Sequence, residues 1–252
     1  MPLTVALLSI AALLGAAGLA IALARSVEAT RIIYGLCFGF SLILFVAAVV
    51  PRSAAVLTAA LPLGLPWIGA HFRMDVLSAF FLAIVNLGGA AASLYAIGYG
   101  AHEKHPSRIL PFFPAFLAGM NLVLLADDAF SFLVAWEFMS LSSWALVMAH
   151  HHDAENRRAG FIYLLMASFG TLALLMAFGL LAGSVGGYSF ADIRDAAHGP
   201  SWKSGLVLAL VLLGAGSKAG LVPLHIWLPL AHPAAFQAAR RTRPPPSIRA
   251  TC

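Results

Sequence analysis

The sequence predicts an all-α, polytopic membrane protein with about seven transmembrane helices. Hydrophobic residues make up 61% of the 252 residues and charged residues only 10%, and the mean hydropathy is +0.91. A soluble domain with a hydrated surface does not reach such values. Apolar stretches of about 20 residues, each about 30 Å long as a helix, recur along the chain. The chain is therefore expected to have the lipid bilayer as its first partner.

Seven apolar stretches follow one another along the chain. They cover residues 3–24, 32–50, 74–100, 109–126, 129–149, 161–182 and 205–230. Only Asp127, Asp128 and their neighbours separate the fourth span from the fifth, so these two helices should be adjacent and antiparallel. A cleavable signal peptide is the alternative for the first span, because Ala22-Leu23-Ala24 resembles a cleavage site. The length of this run and the absence of Lys or Arg before it favour a membrane span.

Two connecting segments have features of their own. Residues 52–73 contain prolines, Gly64 and Trp67, which predict an excursion at the membrane interface with the Trp at headgroup depth. Residues 188–198 place apolar side chains opposite charged ones. This pattern predicts a short amphipathic surface helix, with a solvated connector as the alternative.

The distribution of positive residues predicts the orientation of the chain. Loops after odd-numbered spans hold six Lys or Arg and loops after even-numbered spans hold four, while four more Arg lie in the tail. Because positive residues resist translocation, the N-terminus should face away from the cytoplasm, in the inner (plasma) membrane of a cell. This bias accounts for the net charge of +5, and no nucleic-acid partner is expected.

Two charged residues lie in the middle of apolar runs, Glu137 in the fifth span and Lys218 in the seventh. An ionised side chain at the bilayer centre costs at least about 2.5–3.5 kcal/mol, so such residues usually face the protein interior or water and have a function. Ser140 lies one helical turn from Glu137 on the same face. The alternative for Glu137 is a structural hydrogen bond to a neighbouring helix.

The seventh span should be broken at Pro223 and Gly220. Proline has no N–H for the carbonyl of Ala219, and its ring crowds that carbonyl, so the helix must kink or break one turn after Lys218. Gly214, Gly216 and Gly220 allow another helix or water to approach the backbone. A broken helix at membrane depth is tolerated only where it is buried in protein or lines a hydrated cavity.

The opposite charges suggest a switch for protons. At a separation of about 6 Å and an effective dielectric constant near 20, Glu137 and Lys218 would attract each other by about 2.8 kcal/mol. Such a pair can hold or release the lysine proton according to its separation. The sequence therefore predicts a buried Glu-Lys pair that serves in proton relay.

Other polar residues are weaker candidates. His225, just after the predicted break, could pass protons because neutral imidazole both donates and accepts. Asp127 and Asp128 are expected in a solvated turn at the non-cytoplasmic edge, with a proton-collecting mouth as the alternative. No metal site is expected at residues 150–153, because consecutive helical side chains point about 100° apart and do not converge on one ion. Cys37 and Cys252 form no recognisable pair.

Two stretches carry a family resemblance, WEFMSLSSW from Trp136 and GSKAGLVPLHIWLPLAHPAA from Gly216. They resemble the antiporter-like proton-translocating subunits of respiratory complex I and of membrane-bound hydrogenases, and most of all the large membrane subunit of hydrogenase-4 and its formate hydrogenlyase counterpart. Asp75 also fits the family pattern. The resemblance divides the chain into two N-terminal helices with an interfacial loop (1–70), an incomplete antiporter-like module (71–235) and a basic, proline-rich tail (236–252).

The resemblance implies specific roles and partners. Glu137 would be the acidic and Lys218 the basic member of the proton-relay pair, while Fe–S and Ni–Fe or flavin centres would reside in partner subunits and none in this chain. Other membrane subunits and a peripheral redox arm would be its partners. A cation/proton antiporter subunit and a nonconducting membrane scaffold are the alternatives.

The sequence departs from the family pattern after Ala235. The family continues with an eighth helix carrying a lysine or histidine, whereas residues 236–252 are polar, basic and rich in proline. Such a segment does not cross a bilayer. We therefore expect a frameshift or a truncated gene, with a genuine short paralogue as the alternative.

Overall fold

The computed structural model is a bundle of apolar helices with one small β-hairpin. It describes residues 2–23, 28–50, 56–62, 64, 69–100, 106–150, 154–182, 187–196 and 202–227. The helices are α1 (Pro2–Ala22), α2 (Ala29–Val49), α3 (Val76–Tyr99), α4 (Phe112–Leu125), α5 (Ala129–Val147), α6 (Ala154–Ala182), α7 (Phe190–Ala196) and α8 (Trp202–Ala219). The strands are β1 (Leu57–Leu61) and β2 (Ala70–Met74).

The membrane helices agree with the predicted spans. Six helices of the described part are long and apolar enough to cross a bilayer, and they are the first six predicted spans. The seventh, α8, has 18 residues with Lys203 and Lys218 near its two ends and is not among these six. Large apolar side chains such as Leu8, Ile84 and Leu165 are exposed, as expected where lipid replaces water as the solvent. The all-helical, multi-pass fold is confirmed.

The hydrophobic core lies among the first four helices and the hairpin. Its buried side chains include Leu13 on α1, Ile33 on α2, Leu82 on α3 and Leu117 on α4. Helices α5, α6 and α8 pack in sequence onto this unit, through contacts of α4 with α5, α5 with α6 and α6 with α8. Helices α4 and α5 approach closely at Gly119, where an added Cβ atom would lie only 2.9 Å from the Cα of Met139. The predicted adjacency of the fourth and fifth spans is confirmed.

A buried amide pair links α3 to α4 inside the apolar core. Asn86 donates to the side-chain oxygen of Asn121 at 2.6 Å, and both residues are fully buried. Each amide also donates to the carbonyl four residues earlier in its own helix, that of Leu82 or Leu117. The pair therefore satisfies polar groups that lipid or apolar side chains cannot.

The segment predicted as an interfacial loop contains an antiparallel hairpin. Leu57 pairs with Met74 and Leu61 with Ala70, and burial alternates along β2 as expected for a strand with one covered face. Gly64 and Gly69 have φ values of +88° and +72°, which glycine adopts without strain. Trp67 lies outside the described residues.

The hairpin belongs to a layer that joins three loops at one end of the bundle. Phe72 bridges Ala126, and Asp128 bridges Ser189. Helix α7 confirms the predicted amphipathic segment, with Ile193 turned inward and buried and charged side chains exposed. We call this set, residues 57–61, 70–74, 126–128 and 187–196, the loop layer.

The amide pair gives a first testable prediction. Asn121→Leu keeps the branching of the side chain but replaces its polar atoms with larger methyl groups. The Asn86 amide loses its hydrogen bond to residue 121, so the free energy of unfolding should fall by about 1 kcal/mol. The double variant Asn86→Leu/Asn121→Leu should lose less than the sum of the two single variants, because it removes both polar groups. Unfolding by sodium dodecyl sulfate in mixed micelles, followed by circular dichroism, measures these losses. Strictly additive losses would show that the two amides do not interact.

Candidate functional site

The break in the seventh span begins at Gly220, before the proline. Helix α8 ends at Ala219, Gly220 has a φ of +74°, and the N–H of Leu221 donates to the carbonyl of Gly216 at 2.9 Å. This is the Schellman arrangement, in which a left-handed glycine closes a helix. The break predicted at Pro223 and Gly220 is present, and Gly220 is the residue that closes the helix. Proline prevents the helix from resuming, whereas glycine ends it.

Lys218 lies in the last turn of α8 and not in the middle of a continuous helix. At this position its ammonium interacts favourably with the partial negative charge at the helix C-terminus. The side chain reaches two other helices, because Nζ donates to the hydroxyl of Ser140 on α5 and to that of Tyr163 on α6, each at 2.8 Å. The lysine is partly buried and connects three membrane helices.

Aromatic rings complete the surroundings of the ammonium. Its Nζ lies 5.0 Å from the ring centroid of Tyr163 and 6.0 Å from that of Trp136. The faces of such rings attract a cation, by about 2 kcal/mol where both are desolvated. Trp136 was not among the site residues predicted from the sequence, so this contact was missed.

The hydroxyls that bind Lys218 are themselves hydrogen-bonded. Ser140 donates to the carbonyl of Trp136 at 2.7 Å, and the Tyr163 hydroxyl is 2.7 Å from the hydroxyl of Ser143. We call Ser140, Ser143 and Tyr163 the hydroxyl cluster. Because hydroxyls both donate and accept, the cluster can accommodate a lysine in either protonation state.

Glu137 does not form an ion pair with Lys218 in this structure. It lies in the middle of α5, as predicted, and is partly buried. Ion pairs of the described residues include those of Arg73 with Asp75 and Asp127. Ser140, which binds the ammonium, lies one helical turn after Glu137 on α5. Sequence spacing identified that shared face but not which side chain the ammonium would reach.

Small residues bring α8 close to α6. A Cβ on Gly170 would meet the carbonyl oxygen of Gly214 at 2.9 Å, and a Cβ on Gly214 would meet the carbonyl oxygen of Gly170 at 2.8 Å. This close approach fits the use of small residues at interfaces between membrane helices. It allows the Lys218 side chain to reach Tyr163.

The turn after the break packs back onto the site. Trp227, in a single 3₁₀ turn (Leu224–Trp227), donates its indole N–H to the carbonyl of Ser217 at 2.7 Å. Its ring meets that of Tyr163 edge to face at 5.2 Å. Neither Trp227 nor Tyr163 was found by the sequence. An aromatic or hydroxyl residue in an apolar helix is too common to indicate a site.

His225 lies in the same turn but is not joined to the lysine by a described hydrogen bond. Its Nδ1 is buried and has no hydrogen-bond partner among the described residues. A role for His225 in proton transfer therefore stays a prediction. The expected absence of a metal site at residues 150–153 also stays a prediction, because 151–153 lie outside the described residues.

Asp128 is buried and caps α5, so the expectation of a solvated turn is wrong for this residue. Its carboxylate accepts the N–H of Ser131 at 2.7 Å and the N–H of His71 at 2.9 Å, and the residue is fully buried. A carboxylate at a helix N-terminus satisfies free N–H groups and complements the helix dipole. It thereby fixes the hairpin to the start of α5.

Asp127 is more accessible than its neighbour. One carboxylate oxygen lies 3.5 Å from Nε of Arg73, and the residue lines an open cleft of about 630 Å³ in the loop layer, together with Thr58, His71, Tyr188 and Asp192. Of the two candidates for a proton-collecting mouth, Asp127 is the one that borders this cleft.

Asp75 fixes the start of α3. Its carboxylate accepts the N–H of Ser78 at 2.8 Å and pairs with Arg73 at 2.8 Å. The hydrogen bond from Ser78, helped by the nearby guanidinium, lowers the pKa of Asp75 below its ordinary value of 3.8. The residue that fitted the family pattern is therefore a helix cap.

The comparisons with known proteins agree with this geometry. A family model described as NADH:quinone oxidoreductase/Mrp antiporter, transmembrane, matches residues 126–238, a range that contains Glu137, the hydroxyl cluster and Lys218. Hydrogenase-4 component B of Escherichia coli (strain K12) is 41% identical over 165 residues, which are 65% of this chain and 24% of that protein. Over these residues the chain resembles the antiporter-like membrane subunits of the complex I type.

Two solved structures have the same fold. The membrane-bound sulfane sulfur reductase, an archaeal respiratory membrane complex, matches with a TM-score of 0.77 at 23% identity, over 93% of this chain and 49% of the other. The Mrp complex from Dietzia sp. DQ12-45-1b matches with a TM-score of 0.74 at 26% identity, over 94% of this chain and 45% of the other. The chain thus spans about half of each structural match and about a quarter of the curated relatives it matches.

The lowered pKa of Asp75 gives a pH-dependent prediction. A carboxyl whose pKa is lower in the folded state stabilises the fold at pH values above 3.8, and this contribution disappears as the pH falls through the lowered pKa. Asp75→Asn keeps a side chain that can cap α3 but removes the charge. It should therefore lower the free energy of unfolding by less than about 1 kcal/mol at neutral pH and by nothing in strong acid.

Chemical unfolding of both proteins in detergent across this pH range measures the difference. Asp192→Asn, which changes an exposed acid on α7, is the matched control. A loss for Asp75→Asn that stays constant down to strong acid would show that the charge of Asp75 does not stabilise α3.

Proposed function

We propose that this chain forms the lysine-bearing part of a proton half-channel in a membrane subunit of a proton-translocating oxidoreductase complex of the hydrogenase-4 or complex I type. The proposal rests on the position of Lys218, which lies between three membrane helices and is hydrogen-bonded to two hydroxyls. The similarity to hydrogenase-4 component B supports the choice of complex.

The groups around Lys218 suit a side chain that gains and loses a proton. A permanent cation in a membrane interior is best held by a carboxylate, which strongly favours the charged form. Lys218 is instead held by neutral hydroxyls and lies near aromatic rings, which stabilise the ammonium more weakly than a carboxylate does.

Glu137 acts on the lysine without touching it in this state. Its carboxylate lies one turn from Ser140 on the same face of α5, and electrostatic attraction inside a protein extends well beyond contact distance. A rotation of either side chain that shortened the separation would favour the charged lysine. The buried Glu-Lys pair is thus proposed as a transient arrangement.

The remaining candidates are assigned along a path through the bundle. Gly220 and Pro223 leave the backbone open after Lys218, where water could reach the amine, and His225 would exchange protons with that water. Asp127, on the cleft of the loop layer, is the proposed mouth at the other end. Asp128 serves this path only as the cap that holds the mouth in place.

The proposed role of this chain includes no redox reaction, so the redox centres are assigned to partner subunits. Other membrane subunits would continue the channel, and a peripheral redox arm would hold the Fe–S and Ni–Fe or flavin centres. The inner (plasma) membrane with a non-cytoplasmic N-terminus is the proposed location. The cation/proton antiporter subunit remains the second candidate, because the fold also matches the Mrp complex.

The proposal is tested in the assembled complex in sealed membrane vesicles. Lys218→Met removes the titratable group while keeping an unbranched side chain, and Glu137→Gln removes the charge while keeping the volume. Each should reduce proton transport to less than about a tenth, because positioned acid–base groups contribute about 10²–10⁴-fold to proton transfer. Lys203→Met, at the other end of the same helix, should transport normally.

The alternatives predict different results in the same vesicles. Unchanged proton movement in both Lys218→Met and Glu137→Gln would contradict the proposal and favour the nonconducting scaffold. Transport that requires sodium or potassium and needs no redox substrate would favour the antiporter. A pH-sensitive dye and a matched series of salts separate these outcomes.

A further inference from the structure

We infer that Tyr163 is a positioning residue that holds the Lys218 amine and sets the balance between its charged and neutral forms. The inference rests on the proposed function, in which Lys218 carries the proton, and it deepens that function by assigning a role to α6. No motif in the sequence pointed to this tyrosine.

Tyr163 contacts the lysine through two parts of its side chain. Its hydroxyl accepts from Nζ at 2.8 Å, and its ring centroid lies 5.0 Å from the same atom. The residue is 4% exposed, and it is held from two further sides by the hydroxyl of Ser143 and the ring of Trp227. A side chain fixed in this way keeps the amine at one position.

The two hydroxyls that bind Lys218 are not equivalent. Ser140 donates its single proton to the carbonyl of Trp136, so towards the lysine it can only accept. An acceptor of this kind favours the ammonium and offers nothing to the lone pair of a neutral amine.

The Tyr163 hydroxyl is not restricted to accepting from the lysine, because its partner is the Ser143 hydroxyl, which can either donate or accept. When Lys218 is charged, its N–H donates to Tyr163 and Tyr163 donates to Ser143. When Lys218 is neutral, the two hydroxyl protons can turn the other way, so that Ser143 donates to Tyr163 and Tyr163 donates to the amine nitrogen. Tyr163 is thus the residue of the cluster that can serve both forms.

Other titratable groups lie on the elements around the lysine and must be kept constant in a test. They are Glu137 on α5, His225 in the turn after α8, and Glu155, Arg157 and Arg158 at the start of α6, while Lys203 lies at the opposite end of α8. Tyr163→Phe changes none of them. It also retains the ring and so its contact with Trp227, and it removes only the hydroxyl.

The experiment measures the reactivity of the Lys218 amine against pH in the full chain, purified in detergent. Acetic anhydride, a small reagent that acylates an amine only in its neutral form, is applied for a short pulse at each pH, and mass spectrometry of the peptides gives the fraction of each lysine that is labelled. Lys203, an exposed lysine of the same helix, is the internal reference. The pH at which Lys218 is half reactive reports its protonation, whereas the plateau at high pH reports its accessibility.

The Tyr163→Phe protein should become half reactive at a pH lower by about one unit, a tenfold change in the protonation equilibrium. The cause is the loss of the Tyr163 hydroxyl, whose hydrogen bond to the charged ammonium is stronger than its hydrogen bond to the neutral amine. Tyr95→Phe, the same change at an exposed tyrosine of α3, should leave the profile of Lys218 unchanged. Ser143→Ala should shift the profile less than Tyr163→Phe, because Tyr163 still accepts from the ammonium.

Two outcomes would overturn the inference. An unchanged midpoint in Tyr163→Phe would show that the hydroxyl does not affect protonation, and a raised plateau without a change in midpoint would show that Tyr163 only packs over the lysine. An unchanged profile of Lys203 and a monodisperse elution profile show that the variant is folded. Because the labelling needs no transport, its result is separate from that of the vesicle experiment.

Discussion

An ammonium group inside a membrane protein needs hydrogen-bond acceptors, and the site is built around this requirement. Lys218 finds them on two helices, at Ser140 on α5 and Tyr163 on α6. The Lys218 side chain can reach Tyr163 only because α8 lies close to α6 at Gly170 and Gly214. Gly220 ends α8 just after the lysine, so the charge also lies at the favourable end of the helix dipole.

The two ends of the bundle are organised differently around this site. At one end, the loop layer ties the hairpin, the start of α5 and the segment before α7 together through backbone bridges and the buried Asp128. The lysine lies towards the opposite end, in the last turn of α8. A firm layer on one side and a helix break on the other allow local movement near the lysine without loosening the whole bundle.

The sequence was sufficient for the spans, for Glu137 and for Lys218, because a charge in an apolar run is conspicuous and costly. It was insufficient for Tyr163 and Ser143. A hydroxyl in a membrane helix can form a hydrogen bond to the backbone of its own helix, so its presence does not indicate a functional site. The break after Lys218 was predicted at Pro223 and Gly220 because proline cannot continue a helix. That Gly220 is the closing residue depends on its left-handed backbone angles, which the sequence does not give. The hairpin was taken for a loop because glycines and prolines outweighed two strands of five residues. The direct ion pair between Glu137 and Lys218 depended on side-chain directions that spacing alone does not give.

The arrangement of the core among α1 to α4 has a consequence for biosynthesis. The ribosome delivers the chain from its N-terminus, so α1 to α4 are synthesised before the helices that pack onto them. Helices α5 and α6, with Ser140 and Tyr163, also precede α8. Lys218 is therefore synthesised after the residues that bind it.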